Sequence, residues 1–176
     1  MGVGNLLATH KDAILKKWFD VVVNTYPPDT ARFLSHKKDA FDNPVGAATF
    51  KGLAAILEEI LKSPDPQALA QHLDPIIRIR AVQNFSPSQA VGFVFALKGI
   101  VRETLGRHKA ANGGLDGLLS LEEKIDRLGL VAFDVYVRCR EKIFELRANE
   151  SRNLFFKAFE RAGLVTELPE DSPGLK

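Results

Sequence analysis

The sequence predicts an all-α protein, a bundle of five to six helices that ends in a long C-terminal helix. Its long apolar patterns repeat with a period near 3.6 residues, and strand-like alternation of apolar and polar residues is absent. Hydrophobic residues make up 45% and charged residues 26% of the 176, the usual mix of a globular protein. That length suits one ordinary domain with its own core.

The first predicted helix covers about residues 6–25, and Pro27 and Pro28 end it because the residue before a proline avoids the α region. A short helical turn is expected at residues 30–34, followed by a polar loop at 37–42. Asn43 is a good N-cap, and Pro44 suits the first helical position, so a second long helix begins there. The expected apolar stripe of the first helix is Leu7, Ile14, Leu15, Trp18, Phe19, Val22 and Tyr26, and that of the second is Leu53, Ile56, Leu57, Ile60 and Leu61.

The third helix is predicted at about residues 66–83, where Pro75 should kink or split it. Ser86 and Gln89 have the spacing of a capping box, with Pro87 between them at the first helical position, and predict a fourth helix to about residue 107. The segment 110–114 is the clearest linker in the chain.

The last helical region is predicted from Leu115 to about Ala162, with Gly129 as a potential break. Residues 130–137 are apolar almost all round, which places them at the centre of the bundle. Residues 147–153 are polar, and a new apolar stripe follows, so this segment either turns back on the domain or leaves it to meet a partner. We therefore expect a domain at 1–150 and, at 151–176, a helical extension with Gly163 as C′ residue and a loose tail from 166.

Composition and charge exclude several classes of protein. A net charge of +2 is too small to predict a nucleic-acid or membrane partner. The longest nearly unbroken apolar run, Leu128 to Val137, is half of the roughly 20 residues that a membrane span needs. The N-terminus lacks the features of a secretory signal, and the lone Cys139 excludes a disulfide within the chain. We expect a cytoplasmic protein.

The four histidines, His10, His36, His72 and His108, lack the spacing of a metal site. A helical histidine in an all-α chain of this length is compatible with a haem-binding gas sensor of the globin type, with His72 as axial ligand. A surface or boundary histidine is the simpler interpretation, and a phosphotransfer histidine at His72 or His108 is a further one. Cys139, between two arginines, is expected to be quiet and partly buried.

Three charged residues fall on apolar helix faces and predict a polar pocket for a small anionic or polar ligand. Arg80 and Lys98 continue apolar stripes, and Asp134 interrupts one. A structural interpretation remains open, because lysine can reach solvent and Asp134 can pair with Arg138 one helical turn later. An enzyme that uses Asp134 as a buried acid is a third possibility, but no partner residue at a defined spacing suggests a reaction.

Three segments together resemble the N-terminal sensor domain of the RsbRD type, from the RsbT co-antagonist family. They are 14–18 (ILKKW) with the following Tyr26-Pro27, 41–46 (FDNPVG) and 78–90 (RIRAVQNFSPSQA). The resemblance covers roughly residues 5–150 and is densest between 14 and 105.

The resemblance implies a globin-like bundle that binds no haem and has no catalytic residues to carry over. In that family the domain usually precedes a signalling module, is commonly dimeric and passes its signal through the last helix. No output domain follows before Lys176. We therefore expect a non-catalytic sensor of a bacterial stress-response system, a stand-alone homodimer that acts in trans on an unknown signalling protein.

Two groups of residues are the candidates for this function. The ligand candidates are Arg78, Arg80, Gln83, Lys98 and Asp134. The contact candidates are Phe155, Phe156 and Phe159. The alternative for the 78–83 segment is that it only holds the turn before the capped fourth helix. No cofactor is expected.

Overall fold

The computed structural model describes residues 3–36, 41–62, 64–83, 85–106 and 114–164. These residues form seven helices and no strand, which confirms the predicted all-α class. The helices are α1 Val3–Thr9, α2 Lys11–Val23, α3 Pro28–His36, α4 Pro44–Leu61, α5 Pro66–Val82, α6 Pro87–Leu105 and α7 Gly114–Arg161.

The N-terminal region differs from the prediction in two places. The expected helix at 6–25 is divided at His10 into α1 and α2, although the amide of Ile14 still donates to the His10 carbonyl at 3.0 Å. Instead of a short turn, α3 has nine residues, because Pro28 occupies its first position, where the missing N–H costs nothing. The predicted polar loop falls partly outside the described residues.

The two predicted helix starts are confirmed by their capping bonds. The Asn43 side chain accepts a hydrogen bond from the Gly46 amide at 2.8 Å and donates one to the Leu34 carbonyl at 2.9 Å. Ser86 and Gln89 form both bonds of the capping box. Each cap of this kind is worth about 1 kcal/mol, so the sequence fixes where α4 and α6 begin.

Neither Pro75 nor Gly129 divides its helix. Helix α5 continues through Pro75, which is exposed, while Leu73, Ile76 and Ile77 on the same helix are buried and hold it against the core. Helix α7 continues through Gly129. A Cβ atom there would lie 2.3 Å from Phe95 Cζ, so the glycine allows the Phe95 ring to lie against α7.

Contacts divide the chain into two compact units, residues 1–140 and residues 141–176. The core of the first unit includes Trp18, Leu53, Ile56, Ile60, Leu73, Ile77, Leu97, Ile125 and Leu128, each at most 1% exposed. The prediction that residues 130–137 lie at the bundle centre holds for one helix face and is wrong for the other. Leu130 is 68% and Phe133 47% exposed, since only the face with Ala132, Val135 and Tyr136 packs inward.

In the second unit, residues 144–164 are all exposed. Gly163 has φ +66°, and the Leu164 amide donates to the Phe159 carbonyl at 2.9 Å. This is the bond pattern of a Schellman cap and confirms the predicted C′ glycine. The predicted tail lies outside the described residues, as does most of the predicted linker. No described helix is long and apolar enough to cross a membrane.

Candidate functional site

The most unusual side chain of the first unit is Arg80, a charged group that is 0% exposed. It follows the buried Ile76 and Ile77 by four and three residues on α5, so helical geometry directs it into the core as the sequence predicts. Among the largest fully buried side chains it is the only charged one in the described part of the chain.

Residues from three segments surround the Arg80 guanidinium: the turn after α2, the turn before α6, and α6 itself. Its Nη2 atom donates to Thr25 Oγ1 at 2.8 Å and to the Gln89 carbonyl at 3.1 Å. Its central carbon lies 4.5 Å from the ring centroid of Phe85, 5.4 Å from that of Phe93 and 5.5 Å from that of Tyr26. We call this cluster the Arg80 node, and it consists of Thr25, Tyr26, Arg80, Phe85, Gln89 and Phe93.

The Arg80 cation is incompletely satisfied within the described residues. Its Nε and Nη1 atoms have no hydrogen-bond partner, and no described carboxylate pairs with it. Burial of an ion costs several kcal/mol, whereas a desolvated cation–π contact returns about 2 kcal/mol. The three rings therefore offset part of the cost and leave the donors on Nε and Nη1 unused.

Burial also affects the titration of the node. It lowers the pKa of Arg80, and the proximity of Tyr26 opposes that change. It raises the pKa of the Tyr26 phenol, against the effect of the Arg80 charge. Since arginine starts from a very high pKa, the node at neutral pH contains a cation and an un-ionised phenol.

Helix α7 is hydrogen-bonded to the end of α5 and to the turn between α5 and α6, beside the node. The Tyr136 hydroxyl donates to the Phe85 carbonyl at 2.9 Å, and Arg140 Nη1 donates to the Ala81 carbonyl at 3.0 Å. Phe85 belongs to the node, and Ala81 follows Arg80 directly. These bonds connect the buried cation to the part of α7 that ends the first unit.

The other predicted ligand residues do not join Arg80. Arg78 is exposed and forms an ion pair with Asp74 at 2.8 Å. Gln83 is the exposed C-cap of α5. Lys98 pairs with Asp126 at 2.6 Å, which favours the structural interpretation of that lysine.

Asp134 is exposed, and lies in an open groove of about 560 Å³ rather than in the core. The groove lies between the start of α5 and the middle of α7, and its walls are mainly apolar. It is lined by Pro66, Gln67, Ala70, Val131, Phe133, Asp134, Val137 and Arg138. The predicted ligand residues are therefore at separate places in the first unit, and only Arg80 is enclosed.

His72 and Cys139 have ordinary surroundings, and His108 lies outside the described residues. His72 is half-buried in α5, where its carbonyl oxygen lies 3.0 Å from the position of a Cβ at Gly52. Cys139 is half-buried, and burial raises the pKa of its thiol. No group of three metal-ligating side chains occurs within the described residues.

The three predicted contact residues lie in the second unit. Phe155, Phe156 and Phe159 are 65%, 55% and 51% exposed. Their exposure is high for phenylalanine, and Leu154 on the same segment is 70% exposed.

Sequence reasoning missed the aromatic wall of the node and its connection to α7. Tyr26 and Phe85 lie in the segments that carry the family resemblance, but spacing alone does not bring them together, because 59 residues separate them along the chain. Tyr136 was hidden in an apolar run. The available signal was its hydroxyl group, because a buried tyrosine hydroxyl usually finds a hydrogen-bond acceptor.

Comparison with known proteins agrees with the resemblance. An uncharacterized protein of Archaeoglobus fulgidus is 32% identical over 83 residues, which are 47% of this chain and 51% of the relative. The chain thus spans about half the length of that relative. No solved structure matches this chain. The family described as RsbT co-antagonist protein rsbRD N-terminal domain matches residues 12–151, which contain the whole Arg80 node and all but the start of the first unit. The chain belongs to this family, and it therefore carries a stress-response signalling domain.

Proposed function

We propose that this protein is a non-catalytic sensor and interaction domain, a cytoplasmic homodimer that acts in trans on a signalling protein. The observation that carries the proposal is a pair of hydrogen bonds beside the buried Arg80, from Arg140 to the last turn of α5 and from Tyr136 to the α5–α6 turn. Through them, a change at an enclosed polar site alters the anchoring of α7, the helix that continues to Arg161.

The mechanism is a shift between two arrangements of the α5–α6 turn. A ligand that contacts Arg80 differently in the two arrangements changes their populations by its difference in affinity. Because the turn accepts a hydrogen bond from Tyr136, and the end of α5 beside it accepts one from Arg140, its arrangement is coupled to the position of α7. Small helix shifts of this kind are a common means of signalling between sites.

The contact surface of the proposal is the apolar stripe of the second unit, here called the Phe155 stripe: Phe155, Ala158, Phe159 and Ala162. These residues are spaced i, i+3, i+4 and i+7, so they share one helix face. Exposed contiguous apolar surface of this kind is a mark of protein–protein contact. Phe156 extends the stripe at its edge.

Light scattering at micromolar concentration tests the homodimer. We expect about twice the chain mass for the wild type and the chain mass for Phe155→Asp combined with Phe159→Asp. Asn153→Asp is the control for added negative charge, because it adds one such charge two residues from Phe155 on the opposite side of the helix. A strict monomer in the wild type, or a dimer that survives the double substitution, contradicts this role of the stripe.

The haem alternative has a separate test. Haem reconstitution followed by absorption spectroscopy should give no Soret band attributable to His72. A band that is present in the wild type and lost in His72→Ala would replace the cofactor-free proposal with the haem sensor.

A further inference from the structure

The Arg80 node lacks hydrogen-bond acceptors. A guanidinium has five N–H donors, two on each Nη and one on Nε. Those on Nη2 are engaged by Thr25 and the Gln89 carbonyl, while Nε and Nη1 have no partner within the described residues. Buried polar groups are almost always hydrogen-bonded, so an acceptor from outside the described chain is expected here.

The missing acceptor should also carry negative charge. Arg80 is fully buried, no described carboxylate pairs with it, and the surrounding rings of Tyr26, Phe85 and Phe93 are neutral. An anion beside the guanidinium would satisfy open donors and neutralise the buried charge together. Water would satisfy only the donors.

The occupied Nη2 atom restricts the shape of the anion. A carboxylate can form two parallel bonds along the Nε–Nη2 edge or along the Nη1–Nη2 edge of a guanidinium. Both edges include Nη2. One of its two protein bonds would have to break for such binding. A small anion that accepts from Nε or from Nη1 alone needs no such change. Complete burial and aromatic walls disfavour multiply charged ions, whose dehydration is more costly.

We propose that the Arg80 node binds one compact, singly charged inorganic anion, of the size of chloride or nitrate, at Nε or Nη1. The node is the sensing site of the proposed function, so the signalling meaning of this ion rests on that proposal. The binding itself rests on the geometry of Arg80 alone.

The protein contains a natural reporter for this site. Trp18 is its only tryptophan. Its Nε1 atom donates to the Phe93 carbonyl at 2.7 Å, and the two rings lie 6.1 Å apart. Since the Phe93 ring also contacts Arg80, an ion in the node should change the emission of Trp18.

The experiment uses the full chain in sodium gluconate at constant ionic strength, with gluconate replaced stepwise by chloride, bromide or nitrate. We expect a saturable change in Trp18 emission and a Tm that rises with the logarithm of anion concentration above the Kd. Sulfate should give neither. Arg80→Met should abolish both responses, whereas Arg102→Gln should retain them, because Arg102 is half-exposed and paired with Glu122.

A wild type without an anion response, or the same response in Arg80→Met, overturns the inference, and so does an equal response to sulfate. If Arg80→Met does not fold, crystals of the wild type grown with bromide decide the question. An anomalous peak within hydrogen-bonding distance of Nε or Nη1 supports the site, and its absence there overturns it.

Light scattering on the titrated samples separates the two proposals. A homodimer without anion binding overturns this inference alone, and an anion-binding monomer overturns the dimeric function alone.

Discussion

The two parts of helix α7 differ in the burial of their apolar side chains. Within the first unit, buried residues recur at steps of three and four and lie against the core. They are Leu118, Leu121, Ile125, Leu128, Ala132 and Val135. Residues 144–164 include phenylalanines and leucines in similar number, yet every one is more than half exposed. The same helix thus contains a segment that packs against the domain and a segment that is exposed along its whole length.

Apolar periodicity therefore predicts which face of a helix is apolar but not what that face contacts. In the first part the charged residues beside the buried seam also pair with the domain, as Lys98–Asp126 and Arg102–Glu122 show. In the second part the ion pair Lys142–Glu145 lies within the helix itself. Such an exposed pair contributes about 0.2–0.5 kcal/mol and specifies no neighbour.

The largest expected effect comes from a matched pair of leucines. Leu128→Ala removes a side chain that is 0% exposed and should lower the free energy of unfolding by about 2–5 kcal/mol. Leu154→Ala removes one that is 70% exposed and should change it by less than about 0.5 kcal/mol. Urea denaturation at low protein concentration measures both. Equal losses would mean that the second part of α7 is packed in the monomer.

A smaller effect is expected from two glycines of the helices that meet at Phe95. Gly129→Ala places a Cβ 2.3 Å from Phe95 Cζ, so the ring must move, whereas Gly92→Ala has nothing within 4 Å. Alanine favours both helices by about 1 kcal/mol over glycine. We expect Gly129→Ala to be less stable than Gly92→Ala by about 1–2 kcal/mol, measured by thermal unfolding. Equal stability would show that the close approach at Gly129 is not needed.

The anchoring of α7 to the α5–α6 turn gives the next effect. Tyr136→Phe removes the hydroxyl that donates to Phe85 and should cost about 1 kcal/mol of unfolding free energy. It should also increase amide hydrogen exchange at residues 81–90. An exchange pattern identical to that of the wild type would remove Tyr136 from the proposed coupling.

The smallest expected effect is a change in the pKa of Tyr26, which tests whether the Arg80 node excludes water. Burial raises the pKa of Tyr26, so the stability this phenol contributes is complete below the ordinary tyrosine pKa and is lost as pH rises through the folded pKa. Arg80→Met should raise the pKa further, because the Arg80 charge lowers it. Tyrosine absorbance against pH, with Tyr26→Phe to assign the signal, measures the shift. A lower pKa in Arg80→Met would contradict the arrangement.

Local chemistry explains which features the sequence predicted. The caps at Asn43 and Ser86, the burial of Arg80 and the C′ role of Gly163 depend on residues within a few positions, so pattern reasoning found them. Neither Pro75 nor Gly129 divides its helix, because tertiary packing, which the sequence does not display, holds both helices together. The aromatic wall of the node joins residues far apart in the chain and required the fold.

We propose that α7 provides a packed anchor in its first part and a contact surface in its second. Amide hydrogen exchange along α7, at micromolar concentration in the wild type and in Phe155→Asp/Phe159→Asp, tests it most directly. The account predicts that residues 118–136 are protected in both proteins. It predicts that residues 144–161 are protected in the wild type alone. Protection of 144–161 that persists in the variant, or that is absent from the wild type, would contradict it.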